Sequence, residues 1–329
     1  MLPFSLFLFS FAAAFLLATP VRSLAVKIGA VDLPGGRHCH AVPTPRLGGL
    51  AVAVTMAAAL LLSDIEGSLG TSLLLGGGVV VSLGIRDDTK GLTPPIKLAW
   101  QTTAALLVVF YGVRLEGIGM LSVPATLLWL LLLTNAYNLI DGLDGLCAGC
   151  GGLGGGTFAI LGLLIGDVTV TAVGLSLLGG CLGFLPHNLR EKKLFLGDTG
   201  AQLIGFCMGL LSVRLINERL VFSALLAVVY PLTETVITVL RRLWQGKSPL
   251  TADRGHFHHR LIDRGLSHRQ AFGILLVPSL FCAMVGLLLP VSPSAAGWVI
   301  LLCFAAFVIL LDTEGPRKRH KAGIPPNNK

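Results

Sequence analysis

The chain has 329 residues, 53% of them hydrophobic and only 13% charged, with a mean hydropathy of +0.80 and a formal net charge of +8. That balance excludes a pair of soluble domains, because so few charges could not hold so much apolar surface in water. It predicts an all-α polytopic membrane protein.

Apolar runs fall near residues 3–21, 47–63, 70–85, 97–113, 120–134, 147–165, 168–186, 199–213, 220–240, 271–290 and 295–311. They predict about eleven transmembrane helices, several shorter than the ~20 residues that usually cross a bilayer. The 41 glycines fit helices that approach one another closely inside a bundle. The first run has no basic residue before it, and its first cations, Arg22 and Lys27, come after it, so it reads as a retained span and not a cleaved signal. With the amino terminus outside, 22 of the 25 Lys and Arg residues share one side, and only Arg114, Arg214 and Arg219 lie on the other. That asymmetry makes the first side cytoplasmic and predicts a multi-pass protein of the inner (plasma) membrane with a cytoplasmic carboxyl terminus. Basic charge gathered on one membrane face suits anionic lipids and phosphates. Its scatter among loops between spans argues against nucleic acid. Cysteines within apolar runs, such as Cys150, Cys181 and Cys207, have neither metal-ligand nor disulfide spacing and read as small buried fillers. Residues 1–311 are expected to form one integral-membrane domain. The basic stretch 312–329, which ends in prolines and asparagines, reads as a disordered tail near anionic lipid.

The expected cytoplasmic loops hold most of the polar chemistry. The first, DLPGGRHCHAVPTPRLGG from Asp32 to Gly49, is too rich in proline and glycine for a regular helix and should place Arg37, His40 and Arg46 in a shaped loop. The second runs from Gly84 to Gln101 and contains Asp87 and Asp88, which cannot point the same way on a helix. One could bind a cation while the other acts as a base or orients a partner. Lys97, opening the next span, could contact a phosphate or snorkel to headgroups. The third is NAYNLIDGLDG, Asn135 to Gly145, directly after a leucine-rich run. Its Asn135, Asn138, Asp141 and Asp144 are spaced by threes. A helix end broken by Gly142 and Gly145 would bring them nearer to one line. Carboxylates at a membrane surface are costly unless they bind something.

The fourth loop, PHNLREKKLFLGDTGA, places Asp198 where a span begins, with Asn188 and Phe195 nearby as a hydrogen-bonding group and a stacking surface. Asp198 could also be a helix cap. The fifth, from Arg241 to Ala271, includes His256, His258, His259 and Arg260, which lack the further ligands of a zinc site and suit anionic oxygens better. Together these clusters describe a pocket for a hard divalent cation and phosphates at one membrane face. Phosphoryl transfer is the chemistry that needs such a pocket.

At this point the sequence resembles the polyprenyl-phosphate N-acetylhexosamine-1-phosphate transferases. The matching pieces are DLPGGRHCHAVPTPRLGG, DDTKGLTPPIKLAWQ, NAYNLIDGLDGL, the FLGDTG segment and KSPLTADRGHFHHRL, in family order from Asp32 to Leu261. The HxHHRL form resembles the branch that transfers N-acetylglucosamine 1-phosphate to undecaprenyl phosphate more than the branch that handles the muramyl-pentapeptide precursor. The resemblance implies that a UDP-N-acetylhexosamine and polyprenyl phosphate react to give polyprenyl-diphosphate-sugar and UMP, the first membrane step of a cell-envelope polysaccharide. It implies Mg²⁺, with Mn²⁺ as an alternative, and it allows a homodimer.

By the same resemblance Asp198 matches the main metal ligand, Asp87 the base for the lipid phosphate, and Asp88 an assistant at the metal. Asn138, Asp141, Asp144 and Asn188 match nucleoside-pocket positions, with Asn135 counted beside them, and Phe195 matches an aromatic that stacks on uracil. His256, His258, His259 and Arg260 match the motif that contacts phosphate and sugar, and Lys97 joins them as a substrate-binding cation. Two departures bear on sugar specificity: Glu234 stands where relatives often carry Asp, and Ala201 follows GDTG where Ser is common. Direct attack by the lipid phosphate is preferred over a covalent aspartyl intermediate. The alternatives are the muramyl-pentapeptide reaction and a lipid-linked-sugar transporter; the latter would need ionisable residues along the spans, where only Glu234 approaches such a position.

Overall fold

The computed structural model describes residues 3–33, 43–63, 65, 67–190, 194–246, 248 and 256–298. Arg37, His40, Lys192, Lys193, most of the KSPLTADR stretch, the larger part of the eleventh apolar run and the basic tail lie outside the described residues. The described residues are helical almost throughout. Its helices are α1 (Pro3–Ile28), α2 (Gly49–Leu62), α3 (Ser68–Lys90), α4 (Pro94–Phe110), α5 (Ser122–Ile140), α6 (Leu146–Ile165), α7 (Val168–Asn188), α8 (Gly197–Asn217), α9 (Val221–Ala227), α10 (Val229–Trp244), α11 (Phe257–Ile262) and α12 (His268–Leu288).

Among the described residues, seven helices are long and apolar enough to cross a membrane, or eight if α9 and α10 count as one broken span. This is a multi-pass membrane protein. Helices α2 and α4 occupy two further apolar runs but are shorter, and α2 with 14 residues would reach only about 21 Å. The run expected at 220–240 is not one straight span: α9 and α10 meet at Val228 with a bend of 74°. The physical reason is amphipathicity. Glu234, Thr238 and Arg242, spaced by fours, are buried on one face of α10, whereas Val236, Leu240 and Leu243 are exposed on others, so α10 turns its polar stripe towards the histidine motif.

Helix α8 is the hub. Of its 21 residues, all but Asp198, Arg214, Ile216 and Asn217 are buried. It packs against α2, α3, α5, α6 and α9. Small residues allow this: a side chain on Gly84 of α3 would run into the backbone of Thr199, and one on Gly49 of α2 into that of Gly200. Two short strands, β1 (Val31–Asp32) and β2 (Thr44–Pro45), pair antiparallel and brace the entry to α2.

At the far end of α8, Arg214 pairs with Asp167 at 2.8 Å and with Glu218 at 3.1 Å, while Asn217 donates to the carbonyl of Arg114 at 2.8 Å. Arg114 and Arg214, cations of the lightly charged side, thus lie together with acids of their own at the end of α8 opposite Asp198. Replacing Gly84 by Val should force α3 away from α8, costing about 1–3 kcal/mol. The expected result is a lower Tm for the purified protein in detergent; an unchanged Tm would mean that the α3–α8 contact is looser than described.

Candidate active site

The site is built at helix ends and not, as expected, in loops. Asp87 and Asp88 lie in the last turn of α3, buried to 5% and 2% exposure. Adjacent helical residues point about 100° apart, and both directions are used. Asp88 faces α8: it accepts the backbone N–H of Asp198 at 3.0 Å, that of Thr199 at 3.0 Å and the Thr199 hydroxyl at 2.7 Å. One carboxylate therefore satisfies the otherwise unpaired first N–H groups of α8 and meets the positive end of its dipole. Gly197 precedes them with φ +73°, and a side chain there would strike the Asp88 carboxylate.

Asp87 faces α4. It accepts the Leu92 N–H at 2.7 Å and pairs with Lys97 Nζ at 2.5 Å. The same Nζ lies 2.7 Å from Asp198 Oδ2, so one lysine bridges carboxylates from α3 and α8. Asp198 is not a cap of its own helix; it also accepts Gln202 Nε2 at 3.0 Å, with Asn138 Nδ2 at 3.5 Å. Arg46 closes the back of the site, donating to the carbonyls of Asp88 at 3.1 Å and Asp87 at 3.2 Å. A cation there satisfies the open carbonyl end of α3.

The turn after α5 supplies the next wall. Asn135 and Asn138 are on the last turns of α5, and Asp141 follows directly as its C-cap. Asn135 donates to Gln101 Oε1 at 2.9 Å and Gln101 donates to Gln202 Oε1 at 3.1 Å, a relay that ends on Asp198. Burial pushes the Asp141 carboxyl well above the usual carboxylate range, and the charges of Asp198, Asp88 and Asp144 push it further. Asp144 lies 3.6 Å from His268 Nδ1.

Asn188, expected to touch the nucleoside, is buried with both ends of its amide spent on backbone: it accepts from Gly145 N at 2.5 Å and donates to the Leu194 carbonyl at 3.0 Å. Here it ties the aspartate turn to the strand-like segment beside Phe195. That segment is held in turn by Phe195 N donating to the Pro45 carbonyl and Gly48 N to the Phe195 carbonyl, both at 2.8 Å. Asp88 likewise acts first as the anchor of α8.

The histidine motif docks on the same turn. His256 sits just before α11 and its Nδ1 lies 3.0 Å from Glu234 Oε1, which also accepts the Phe257 N–H at 3.2 Å. His258 is almost fully buried, with its ring 5.6 Å from that of His256 and 4.3 Å from that of His259. Burial pushes its pKa down to about 3, helped by the neighbouring imidazoles, so it is neutral at pH 7. Its Nε2 lies over Gly142, where a Cβ would come within 2.7 Å. His259 is half-buried and Arg260 is exposed.

The geometry joins Asp87, Asp88, Asp198, Lys97, Asn135 and Asn138 in one network, with Asp141 beside it electrostatically and Asp144 leading on to the histidines. Among the described residues, no three His, Cys, Asp or Glu side chains close into a metal cage. A hard cation such as Mg²⁺ does not need one, because it takes one or two carboxylates and fills its octahedron with water and phosphate oxygens. Asp198 offers such a hard oxygen, with Asp87 across Lys97 from it. Gln101, Gln202 and His268 escaped the sequence reading, as did the contacts of Arg46 and Glu234. The available signals were a glutamine inside each of two apolar runs, one of them four residues beyond Asp198, and an acid inside a third.

A family model described as glycosyl transferase family 4 matches residues 71–216, which span α3 to α8 and so hold all three aspartates of the network. A Bacillus subtilis protein named probable undecaprenyl-phosphate N-acetylglucosaminyl 1-phosphate transferase is 32% identical, covering 90% of this chain and 86% of its own length. The decaprenyl-phosphate N-acetylglucosaminephosphotransferase of Mycolicibacterium smegmatis is 35% identical, over 78% of this chain and 74% of its own. The undecaprenyl-phosphate alpha-N-acetylglucosaminyl 1-phosphate transferase of Salmonella typhi is 30% identical, over 91% and 86%. The chain therefore belongs to glycosyl transferase family 4, alongside these polyprenyl-phosphate N-acetylglucosamine 1-phosphate transferases.

Proposed function

We propose that the protein transfers N-acetylhexosamine 1-phosphate, GlcNAc 1-phosphate first among the candidates, from a UDP-sugar to polyprenyl phosphate at the cytoplasmic face of the plasma membrane. The observation that carries this reading is Lys97 held between Asp87 and Asp198 at the ends of three helices. In the reaction an oxygen of the lipid phosphate attacks the sugar-bearing phosphorus of the nucleotide. A new P–O bond forms, the diphosphate bond to the nucleoside side breaks, and UMP leaves with the electron pair.

Such chemistry asks the protein mainly to position groups and screen charge. Asp198 would hold Mg²⁺, which when bound supplies the positive charge that lets two phosphates approach. Asp87 receives a proton from the lipid phosphate when that group arrives protonated. Asp88 fixes the backbone of Asp198 and so sets where its carboxylate stands. Lys97 offers a cation to phosphate oxygens. Asn138 and the Asp141–Asp144 turn form the nucleoside side, and His259 and Arg260 face the sugar phosphate from α11. Support for a cell-envelope role comes from the same family membership. The transport alternative is weakened, because the Glu234 carboxylate contacts His256 and the Phe257 N–H.

Asp198→Asn should insert and fold as wild type but lose at least about 10³-fold in UMP release from UDP-GlcNAc with polyprenyl phosphate present; a wild-type rate would remove Asp198 from the metal role. Chelation should abolish turnover and added Mg²⁺ should restore it, read in membranes offered UDP-GlcNAc, UDP-GalNAc and the muramyl-pentapeptide nucleotide in parallel. Glu234→Gln removes the carboxylate that contacts His256 and should cost about 10–100-fold in kcat/KM, with partial recovery in Glu234→Asp. Full activity in Glu234→Gln with a loss in Glu234→Asp would instead mean that Glu234 only fills space.

A further inference from the structure

Helices α4 and α8 carry matching pairs of polar residues towards each other. Lys97 and Gln101 are four residues apart on α4, and Asp198 and Gln202 are four apart on α8. Each pair therefore lies on one face of its helix, about 6 Å apart along the axis. Lys97 reaches Asp198 at 2.7 Å, and one turn further along both helices Gln101 reaches Gln202 at 3.1 Å. The two rungs are joined along α8, because Gln202 Nε2 donates to Asp198 Oδ2 at 3.0 Å. Gln101 and Gln202 are only 4% and 0% exposed. An amide buried in an apolar bundle is costly unless both its ends are bonded.

The relay can run in one sense only. The Asp198 carboxylate accepts, so Gln202 must turn its amide N–H to it and its Oε1 to Gln101. Gln101 then spends Nε2 on Gln202 and keeps Oε1 for Asn135, whose Nδ2 donates to it at 2.9 Å. The same Nδ2 donates to the Leu131 carbonyl at 2.8 Å, and a carbonyl has no proton to give back. Reversing the amides would set Asn135 Oδ1 against that carbonyl. The backbone of α5 thus dictates, through three amides, the N–H that meets Asp198.

All three side-chain donors that reach Asp198 end on Oδ2: Lys97, Gln202 and, at 3.5 Å, Asn138. Among the described residues Oδ1 takes no donor. We propose that Gln101 and Gln202 are positioning residues for the transfer: their relay pins Asp198 by Oδ2 and keeps Oδ1 for the divalent cation. The inference rests on the function proposed above and adds what holds the reactive carboxylate still. Lys97 alone is a poor clamp, because its one ammonium is shared with Asp87 and is also the group offered to phosphate. Gln202 is neutral and fully buried, so its hold on Asp198 survives the arrival of anionic substrates.

The test uses the full-length protein in detergent, with Gln101→Leu, Gln202→Leu and the variant carrying both. Three quantities are read: Tm, Mn²⁺ affinity without substrates from the EPR signal of the free ion, and kcat for UMP release. Each single variant leaves a buried amide unpaired and should lower Tm, whereas the double variant removes both partners and should regain most of that loss. Mn²⁺ affinity and kcat should nevertheless stay about tenfold lower in the double variant, the usual cost of losing a group that orients a metal ligand. Asn135→Leu, at an exposed position, cuts the relay at its far end and should weaken Mn²⁺ about threefold. Recovery of Mn²⁺ affinity and kcat together with Tm in the double variant would reduce the relay to packing and overturn the proposal. So would Mn²⁺ affinity unchanged in every glutamine variant, or insensitive to Asp198→Asn. Should the double variant not fold, Asn135→Leu decides, and wild-type Mn²⁺ affinity there would overturn the proposal. Wild-type protein that binds Mn²⁺ in this relay-dependent way but releases no UMP would keep the positioning role and overturn the function.

Discussion

The Asp88 carboxylate holds the start of α8 by accepting two backbone N–H groups and one hydroxyl, and the rest of the site is set by that grip. Because α8 is buried along nearly its whole length, its rotation and height cannot drift once its first turn is fixed. Asp198 is in that first turn. The buried acid thus converts a helix–helix packing problem, solved by Gly84 and Gly49, into a defined position for one reactive carboxylate. A buried charge is expensive unless hydrogen-bonded, and here the helix end itself provides the donors.

A second constraint fixes the opposite wall. Glu234 takes up His256 and the start of α11, and Gly142 leaves room for the neutral ring of His258. The histidine motif and the aspartate turn are therefore in contact through packing as well as through charge. The kink at Val228 makes this possible, because only a helix leaving the bundle axis can carry Glu234, Thr238 and Arg242 across to that turn. The site is a junction of rigid helix ends, which suits chemistry in which alignment of two phosphates is the main task.

Charge is divided in the same spirit. Carboxylates cluster at one end of the bundle with Lys97 and Arg46 as the cations bonded among them, while Arg214 is paired with acids at the other end. Around Asp198 the acids outnumber the cations bonded to them, an arrangement that suits a hard cation.

Much of this was legible in the chain. Hydropathy alone set the helical membrane class and placed most of its runs on helices, because a long apolar run in lipid has to satisfy its own backbone. It ended α1, α3 and α5 too early, however, and read the bent pair α9–α10 as one span. Motif spacing singled out Asp87, Asp198 and the Asn138–Asp144 turn, since hard acids beside spans are rare without cause. What the sequence could not decide were partners. Two adjacent aspartates look alike, and only the packing of α3 on α8 made Asp88 an anchor and left Asp87 to Lys97. Asn188 looked like a ligand-binding amide until the meeting of two loops used both its ends. The acid in the ninth run looked mid-membrane, and the bend at Val228 carried it to His256. Periodicity is local and is written in the chain, whereas the choice of hydrogen-bond partner depends on which helix ends meet, and that is settled by close packing over residues far apart in sequence.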